Sequence, residues 1–257
     1  MTPPRALILR APGTNCEEET ARAWRLAGAD PEIAHIGRIL EEPGKLEAFQ
    51  ILTVPGGFSY GDDLGAGRIF AIRLAAKLGD SLTRFRDRGG LILGICNGFQ
   101  TLVKTGQLPG AGIAATITYN DVGRYEARWA RVKANPNAPG PWLDGLSAEA
   151  SFELPVAHGE GKFLVSRSED LDRLLHANQI SLQYVDDQDQ PASSHPHNPS
   201  GSPLGITGVT DSTGRVFGLM PHPERFVETF HHPRWTRKPI DRVPDGLRIF
   251  QNAVRAC

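Results

Sequence analysis

Leu91-Ile92-Leu93-Gly94-Ile95 is an unbroken apolar run that ends in Gly94-Ile95-Cys96-Asn97-Gly98. A strand apolar on both faces must be covered on both faces, which is the condition of a central strand in a parallel sheet flanked by helices. A helical pattern starts immediately after Cys96, so the chain must turn from strand to helix within about one residue. Glycines two positions either side of the cysteine leave room for neighbouring backbone at such a sharp turn.

The chain before this run repeats the same logic. Ala6 to Leu9 reads as a short buried strand, and Pro12-Gly13 as a turn. Asn15 is placed to cap a helix, with Glu18 in the capping-box position. That helix carries Ala21, Trp24 and Ala27 and stops at Gly28. Ile33 to Ile36 is a second strand. Ile51 to Val54 is a third, ending at Pro55-Gly56-Gly57. A long helix follows, with Ile69, Ile72, Leu78, Leu82 and Phe85 as its expected apolar stripe, and Gly89-Gly90 breaks it. Strand–helix–strand units of this kind build a parallel sheet.

The second half reads differently. Tyr125 to Val132, Ser151 to Ala157, Ile180 to Val185, Gly205 to Val209 and Val216 to Met220 look like strands with no evident helices between them. Mixed or antiparallel sheet is expected there. Residues 134–145 and 186–203 are loops by composition. Residues 231–245 form an irregular tail, after which Asp245 caps a final helix carrying Leu247, Phe250 and Val254. The expected architecture is one α/β domain over residues 1–257, with a central mixed, mostly parallel sheet flanked by helices and a cysteine nucleophile elbow. No internal repeat or long linker divides it.

Composition narrows the function classes. The 257 residues carry a net charge of −1 with no run of like charges, which gives no footprint for a phosphate backbone. Nucleic acid is therefore not expected as a partner. No apolar run approaches the ~20 residues needed to span a bilayer, and the N-terminus lacks a signal pattern. No membrane role and a cytoplasmic location are expected. The three cysteines are widely spaced and fit neither a disulfide framework nor a zinc pattern. No metal ligand set is assigned.

Cys96 is the expected nucleophile. The elbow projects its side chain above the C-terminal edge of the sheet. The helix that starts there aims free N–H groups and its positive end at the sulfur, favouring thiolate. The Asn97 N–H is placed to donate to an oxyanion. Cys16 also follows a strand and opens a helix, but it lacks the elbow glycines and is read as structural. Cys257, the last residue, is read as inert.

A thiolate needs a proton carrier. Of the eight histidines, His222 has the most informative setting, in Pro221-His222-Pro223-Glu224 at the end of an expected strand. Glu224 can reach back and hold the ring in one tautomer. His158, in Ala157-His158-Gly159-Glu160-Gly161, ends a strand at a turn that suits either backbone contact with a small ligand or a plain reversal. His195, His197, His231 and His232 are expected to be solvated; His35 and His176 have no supporting context. The second oxyanion donor is expected from Pro55-Gly56-Gly57-Phe58-Ser59, with the Gly57 N–H first and Gly56 or Phe58 behind it.

These residues resemble a known family. Gly94 to Gln100 with Pro221 to Glu224 is similar to a class I, triad-type glutamine amidotransferase domain. Pro55 to Asp62, Pro12 to Cys16, His158 to Gly161, Asn198 to Ser202 and Asp245 to Ala253 narrow the resemblance to the glutaminase subunit of phosphoribosylformylglycinamidine synthase. Departures stand at Val122, Tyr125 and Ser200, outside the triad. The resemblance implies that Cys96 is the nucleophile, His222 the base and Glu224 its partner, with oxyanion N–H groups from Asn97 and Gly57. Gln100, Gly159 and Glu160 would lie near bound glutamine, beside Gly57 and Phe58.

The implied activity is release of ammonia from glutamine for a step of de novo purine synthesis. The implied partner is a large synthetase subunit, with an additional small subunit left open. ATP and magnesium would be used by that synthetase, with no cofactor in this chain. The length leaves no room for an ATP-using domain, so a separate subunit is expected. Three rivals remain: an α/β-hydrolase with a cysteine nucleophile, a glutaminase serving a different synthetase, and a catalytically silent regulatory subunit. The order Cys96, His222, Glu224 argues against the first, whose acid precedes its histidine. The intact triad argues against the last.

Overall fold

The computed structural model describes residues 2–146, 151–237 and 243–257. β1 (Arg5–Arg10) leads to α1 (Glu17–Ala27), β2 (Asp30–His35) and the short helix α2 (Ile36–Glu41). β3 (Ile51–Val54), α3 (Arg68–Asp87), β4 (Leu91–Ile95) and α4 (Asn97–Lys104) follow. These four strands are parallel, in the order β2-β1-β3-β4. The crossover from β1 runs to one side and that from β3 to the other. Right-handed crossovers in opposite directions place α1 and α3 on opposite faces of the sheet. The strand order reverses between β1 and β3, and ligand crevices form at the carboxyl ends of strands at such a point.

The second half contributes β5 (Ala115–Thr118), β6 (Glu126–Ala134), β7 (Phe152–His158) and β8 (Lys162–Val165). It continues with α5 (Ser168–His176), β9 (Ile180–Tyr184), β10 (Ile206–Thr210), β11 (Val216–Leu219) and α6 (Asp245–Arg255). β11 pairs parallel to β4, and β10, β9, β6 and β7 extend the sheet with antiparallel pairing. The nine-stranded order is β2-β1-β3-β4-β11-β10-β9-β6-β7, while β5 and β8 form a separate antiparallel pair. The large mixed sheet flanked by helices is the architecture expected from the sequence, with the parallel strands from β2 to β11 forming one half and the antiparallel strands from β10 to β7 the other.

Several local expectations are corrected. Asn15 does not cap α1: Cys16 is the N-cap residue without a side-chain capping bond, and Asn15 Oδ1 accepts from the Cys16 thiol at 3.3 Å. Glu17, Glu18 and Glu19 in the first turn meet the helix dipole instead. Gly28 ends the helix in a left-handed conformation, as expected. Ile36 begins α2 rather than ending β2. In α3 the buried stripe is Phe70, Ala71, Leu74, Leu78, Leu82 and Phe85, whereas Ile72 is exposed and Ile69 half-buried. At about 100° per residue, Ile72 falls on the far side of a helix whose inner face is set by Leu74, Leu78 and Phe85. Asp245 lies in the first turn of α6, whose cap is Pro244. α5 interrupts a region expected to be all strand and loop. It is short and buries only Leu174 and Asp170, so its apolar stripe is too sparse to show a period.

The core ties the helices to the sheet at identifiable points. Trp24 of α1 meets Phe250 of α6 edge-on with centroids 4.7 Å apart, and its indole N–H donates to Thr53 Oγ1 on β3 at 2.9 Å. Among the described residues, no helix is long and apolar enough to cross a membrane.

Candidate active site

β4 lies between β3 and β11, with Gly94 opposite Val54 and Ile95 opposite Leu219. The three strands are parallel, so the loops that leave their carboxyl ends meet at one edge of the sheet. Those loops begin with Pro55-Gly56-Gly57, Cys96 and Met220-Pro221-His222. Cys96 has φ 50° and ψ −105°, a backbone geometry that a side-chain-bearing residue adopts only under local strain. Its N–H is pinned by the Leu219 carbonyl at 2.8 Å. A Cβ on Gly98 would fall on the Val54 carbonyl, and one on Gly94 would press on Leu102 and on the carbonyl of Gly98. The elbow glycines are thus required by close packing of the first turn of α4 over β3 and β4.

His222 and Glu224 are delivered by the end of β11 and the tight turn Pro223–Arg225. His222 Nδ1 and Glu224 Oε1 are 2.6 Å apart and both side chains are buried. Burial by itself disfavours charge on the ring. The Glu224 carboxylate and the Cys96 sulfur outweigh it, and the His222 pKa stands well above the ordinary histidine value. Neither His222 Nε2 nor Glu224 Oε2 has a hydrogen-bond partner among the described residues. β7, although last in the sheet, folds back over this edge. Its Pro155 carbonyl accepts from the His222 N–H at 2.8 Å, and its Ala157 carbonyl accepts from the Cys96 thiol at 3.6 Å.

A cavity of about 190 Å³ opens beside the sulfur. Of the residues expected around a substrate, Gly57, Phe58, Gln100, Gly159 and Glu160 line it together with Cys96. His222, Glu224 and Asn97 are buried outside this lining. Gly57 has φ 125°, and any side chain there would collide with Thr14 and the Asn15 backbone nitrogen. The Phe58 N–H is already given to the Gly13 carbonyl at 2.9 Å, which removes it as an oxyanion donor. The Phe58 ring instead stacks on Tyr125 at the cavity rim, 6.3 Å between centroids.

Asn97 and Gln100 belong to a buried polar network that holds the cavity wall. Asn97 Nδ2 donates to Asp62 Oδ1 at 2.9 Å and to Gln100 Oε1 at 3.2 Å, and the Ser59 hydroxyl donates to Asn97 Oδ1 at 2.5 Å. The Gln100 amide donates to the Glu160 carbonyl, and the Glu160 carboxylate accepts from the Ala66 N–H at 3.2 Å. Burial raises the Asp62 pKa, against the pull of bonds from Gly67 and Asn97. Asp62, Ala66, Tyr119 and Tyr125 also reach the cavity and were missed in the sequence. Asp62 closes the Pro55 to Asp62 stretch that carries the resemblance, and Tyr125 stands among its departures, but neither was assigned to the cavity.

The other histidines separate by burial. His158 is buried, its Nδ1 3.0 Å from Asn120 Oδ1 and its Nε2 3.2 Å from the Tyr184 hydroxyl. Burial, with His222 nearby, pulls its pKa down to about 3, so the ring is neutral. Asn120 Nδ2 donates to the His158 and Arg124 carbonyls, which fixes Oδ1 as the acceptor facing the ring. His158 therefore donates through Nδ1 and accepts through Nε2, a structural role. His232 is not solvated as expected: it is buried against Trp129 and Phe226 and pairs with Glu153 at 3.0 Å. Cys16 is buried as expected, but its place was not foreseen. The loop after β1 crosses to the loop after β3 through the Thr14–Gly57 bridge. That crossing carries the Cys16 sulfur to the His222–Glu224 pair, where it accepts from Arg225 at 3.2 Å.

A cysteine elbow at a central strand end, beside a buried histidine–carboxylate pair from the next parallel strand, is the arrangement of a thiol acyl-transfer site. Residues 3–257 match the model of the CobB/CobQ-like glutamine amidotransferase domain. The chain belongs to that family. It is 48% identical to phosphoribosylformylglycinamidine synthase subunit PurQ of Dehalococcoides mccartyi, over 99% of this chain and 98% of that protein. It is 39% identical to the corresponding PurQ subunit of Archaeoglobus fulgidus, over 97% and 96%. Among solved structures it is similar to PurLQS from Thermotoga maritima, with a TM-score of 0.76 and 29% identity covering 99% of both chains. A glutamine amidotransferase from Thermotoga maritima, at 16% identity and a TM-score of 0.51 over 90% and 80%, shares the fold.

Proposed function

We propose that this chain is the glutaminase subunit of a phosphoribosylformylglycinamidine synthase and that Cys96, His222 and Glu224 perform its chemistry. The reading is carried by one observation: Cys96 in its left-handed backbone conformation at the end of β4, next to a 2.6 Å His222–Glu224 pair supplied by β11. The names of the relatives supply the pathway step.

The raised basicity of His222 favours an imidazolium beside a Cys96 thiolate. The thiolate adds to the side-chain carbonyl carbon of glutamine. The oxyanion that forms is met by the N–H groups of Asn97, at the start of α4, and Gly57. His222 gives its proton to the departing nitrogen, which leaves as ammonia, and a thioester remains. His222 then takes a proton from water, whose oxygen attacks the thioester and releases glutamate. Glu224 holds the ring in the tautomer required for both transfers. Gln100, Gly159 and Glu160 orient glutamine in the cavity. The ammonia passes to a separate large synthetase subunit, with or without an additional small one. That synthetase uses ATP and magnesium, and nothing in the thiol chemistry calls for a cofactor in this chain.

The test is Cys96→Ser in the assembled synthase. Glutamine-dependent amidine formation is lost and ammonia-dependent formation persists. A glutamine-analogue electrophile labels Cys96 in the parent chain. Retained glutamine activity in Cys96→Ser, or labelling at Cys16, contradicts the reading.

A further inference from the structure

The proposed mechanism leaves Cys16 and Glu19 without a task, yet both stand against its proton carrier. One ligand atom from each of Cys16, Glu19, His222 and Glu224 lies within 4.8 Å of the others. Cys16, His222 and Glu224 are buried. Glu224 Oε2 and His222 Nε2 are buried polar atoms with no hydrogen-bond partner among the described residues. A buried carboxylate oxygen without a partner is costly, and a cation would relieve it. The group has backbone support on every side. Cys16 and Glu19 are fixed at the first turn of α1, and His222 and Glu224 by the proline-flanked turn after β11. A Cβ on Gly56 would touch both the His222 ring and the Cys16 sulfur, so glycine is what lets the two approach.

We propose that Cys16, Glu19, His222 and Glu224 form an inhibitory site for a thiophilic divalent cation of the zinc type, which silences the glutaminase by ligating its proton carrier. The donor set of one thiolate, one imidazole nitrogen and two carboxylate oxygens suits zinc and cobalt, and excludes calcium and magnesium, which take oxygen ligands. Zinc bonds of about 2.0 to 2.3 Å place tetrahedral ligands roughly 3.3 to 3.7 Å apart, so the present cluster closes by about 1 Å on binding. Arg225 now fills the cationic role, donating to the Cys16 sulfur at 3.2 Å and to Glu19 Oε1 at 2.9 Å. Its side chain and that of Glu19 are about one-third exposed, so the guanidinium has a route into solvent when the ion enters. Burial pushes the Cys16 thiol up to about 11, so the free site keeps its proton. The metal–sulfur bond forms as that proton leaves to solvent, and the ion exchanges for the guanidinium. With one ring nitrogen held by the ion, His222 can no longer cycle between imidazole and imidazolium, so the proton relay stops, and chelation restores turnover.

The inhibitory role rests on the glutaminase reading; the site itself does not, and its test reads binding alone. Cobalt(II) is titrated into the full chain in a Cys257→Ser background, which removes the exposed terminal thiol. A thiolate-to-cobalt charge-transfer band with tetrahedral d–d bands is expected, saturating at one equivalent. The band persists in Cys96→Ser and is lost in Cys16→Ser. Glu19→Gln, an isosteric change at a helix position about one-third exposed, weakens cobalt binding by about tenfold or more. Four results overturn the proposal. They are no band, a band that survives Cys16→Ser, a band that vanishes in Cys96→Ser because the ion sits on the nucleophile, and Glu19→Gln binding cobalt as tightly as the parent.

Discussion

Replacing Glu224 by glutamine keeps the shape of the proposed triad and removes its charge. Two opposite unit charges 2.6 Å apart attract by about 6 kcal/mol at an effective dielectric of about 20. The glutamine amide still offers a hydrogen bond worth roughly 1 to 2 kcal/mol. The difference, about 4 kcal/mol, bounds the stabilisation of the His222 imidazolium that Glu224 supplies. At 1.36 kcal/mol per factor of ten, that is a loss of about 10³-fold in glutamine turnover. An amide that presents its NH₂ to Nδ1 also selects the wrong tautomer, so the loss falls in kcat rather than KM. The assay is steady-state amidine formation in the assembled synthase, with glutamine and then with ammonium as nitrogen donor. The ammonium rate serves as the control for folding and assembly. A glutamine kcat within tenfold of the parent, with the ammonium rate unchanged, refutes the electrostatic role assigned to this carboxylate.

Gly98→Ala places a methyl group on the Val54 carbonyl, forcing α4 off β3; stability is expected to fall by about 1 to 3 kcal/mol. A denaturant midpoint equal to the parent's contradicts that packing argument. The His158 ring titrates near 3 when folded and near 6.5 when unfolded, so its contribution is fully present above pH 6.5 and drains away as pH falls toward 3. Between pH 6.5 and 5 it costs about 2 kcal/mol, and His158→Gln removes that slope; equal slopes in urea titrations of the two chains at pH 7 and 5 sink the assignment.

What was legible in the sequence is what depends on neighbours along the chain. The apolar run Leu91 to Ile95 has no solvent-facing residue, so it can only be a central strand. Gly94, Cys96 and Gly98 mark a turn that few other residues could make. Gly28 supplies the left-handed end of α1 for the same local reason. Local signals also misled. Ile72 reads as core only if the helix is phased from Ile69, and the phase is set by what α3 packs against. Asn15 has the chemistry of a cap, but its side chain is claimed by Cys16.

The sequence by itself determined the alternation that builds a parallel sheet, the sharp turn that raises Cys96, and the pairing of His222 with Glu224 two residues away. These follow from backbone sterics and side-chain reach over a few residues. Only the tertiary structure decided which strands are neighbours. β11, more than a hundred residues after β4, lies beside it and carries His222 to the edge where Cys96 stands. β7 curls from the far end of the sheet so that Ala157 receives the thiol and Pro155 the His222 amide. The loop after β1, bridged to Gly57, sets Cys16 against the same imidazole. Such contacts arise from hydrophobic closure of one sheet over one core, a sum over the whole chain that no short stretch of residues encodes.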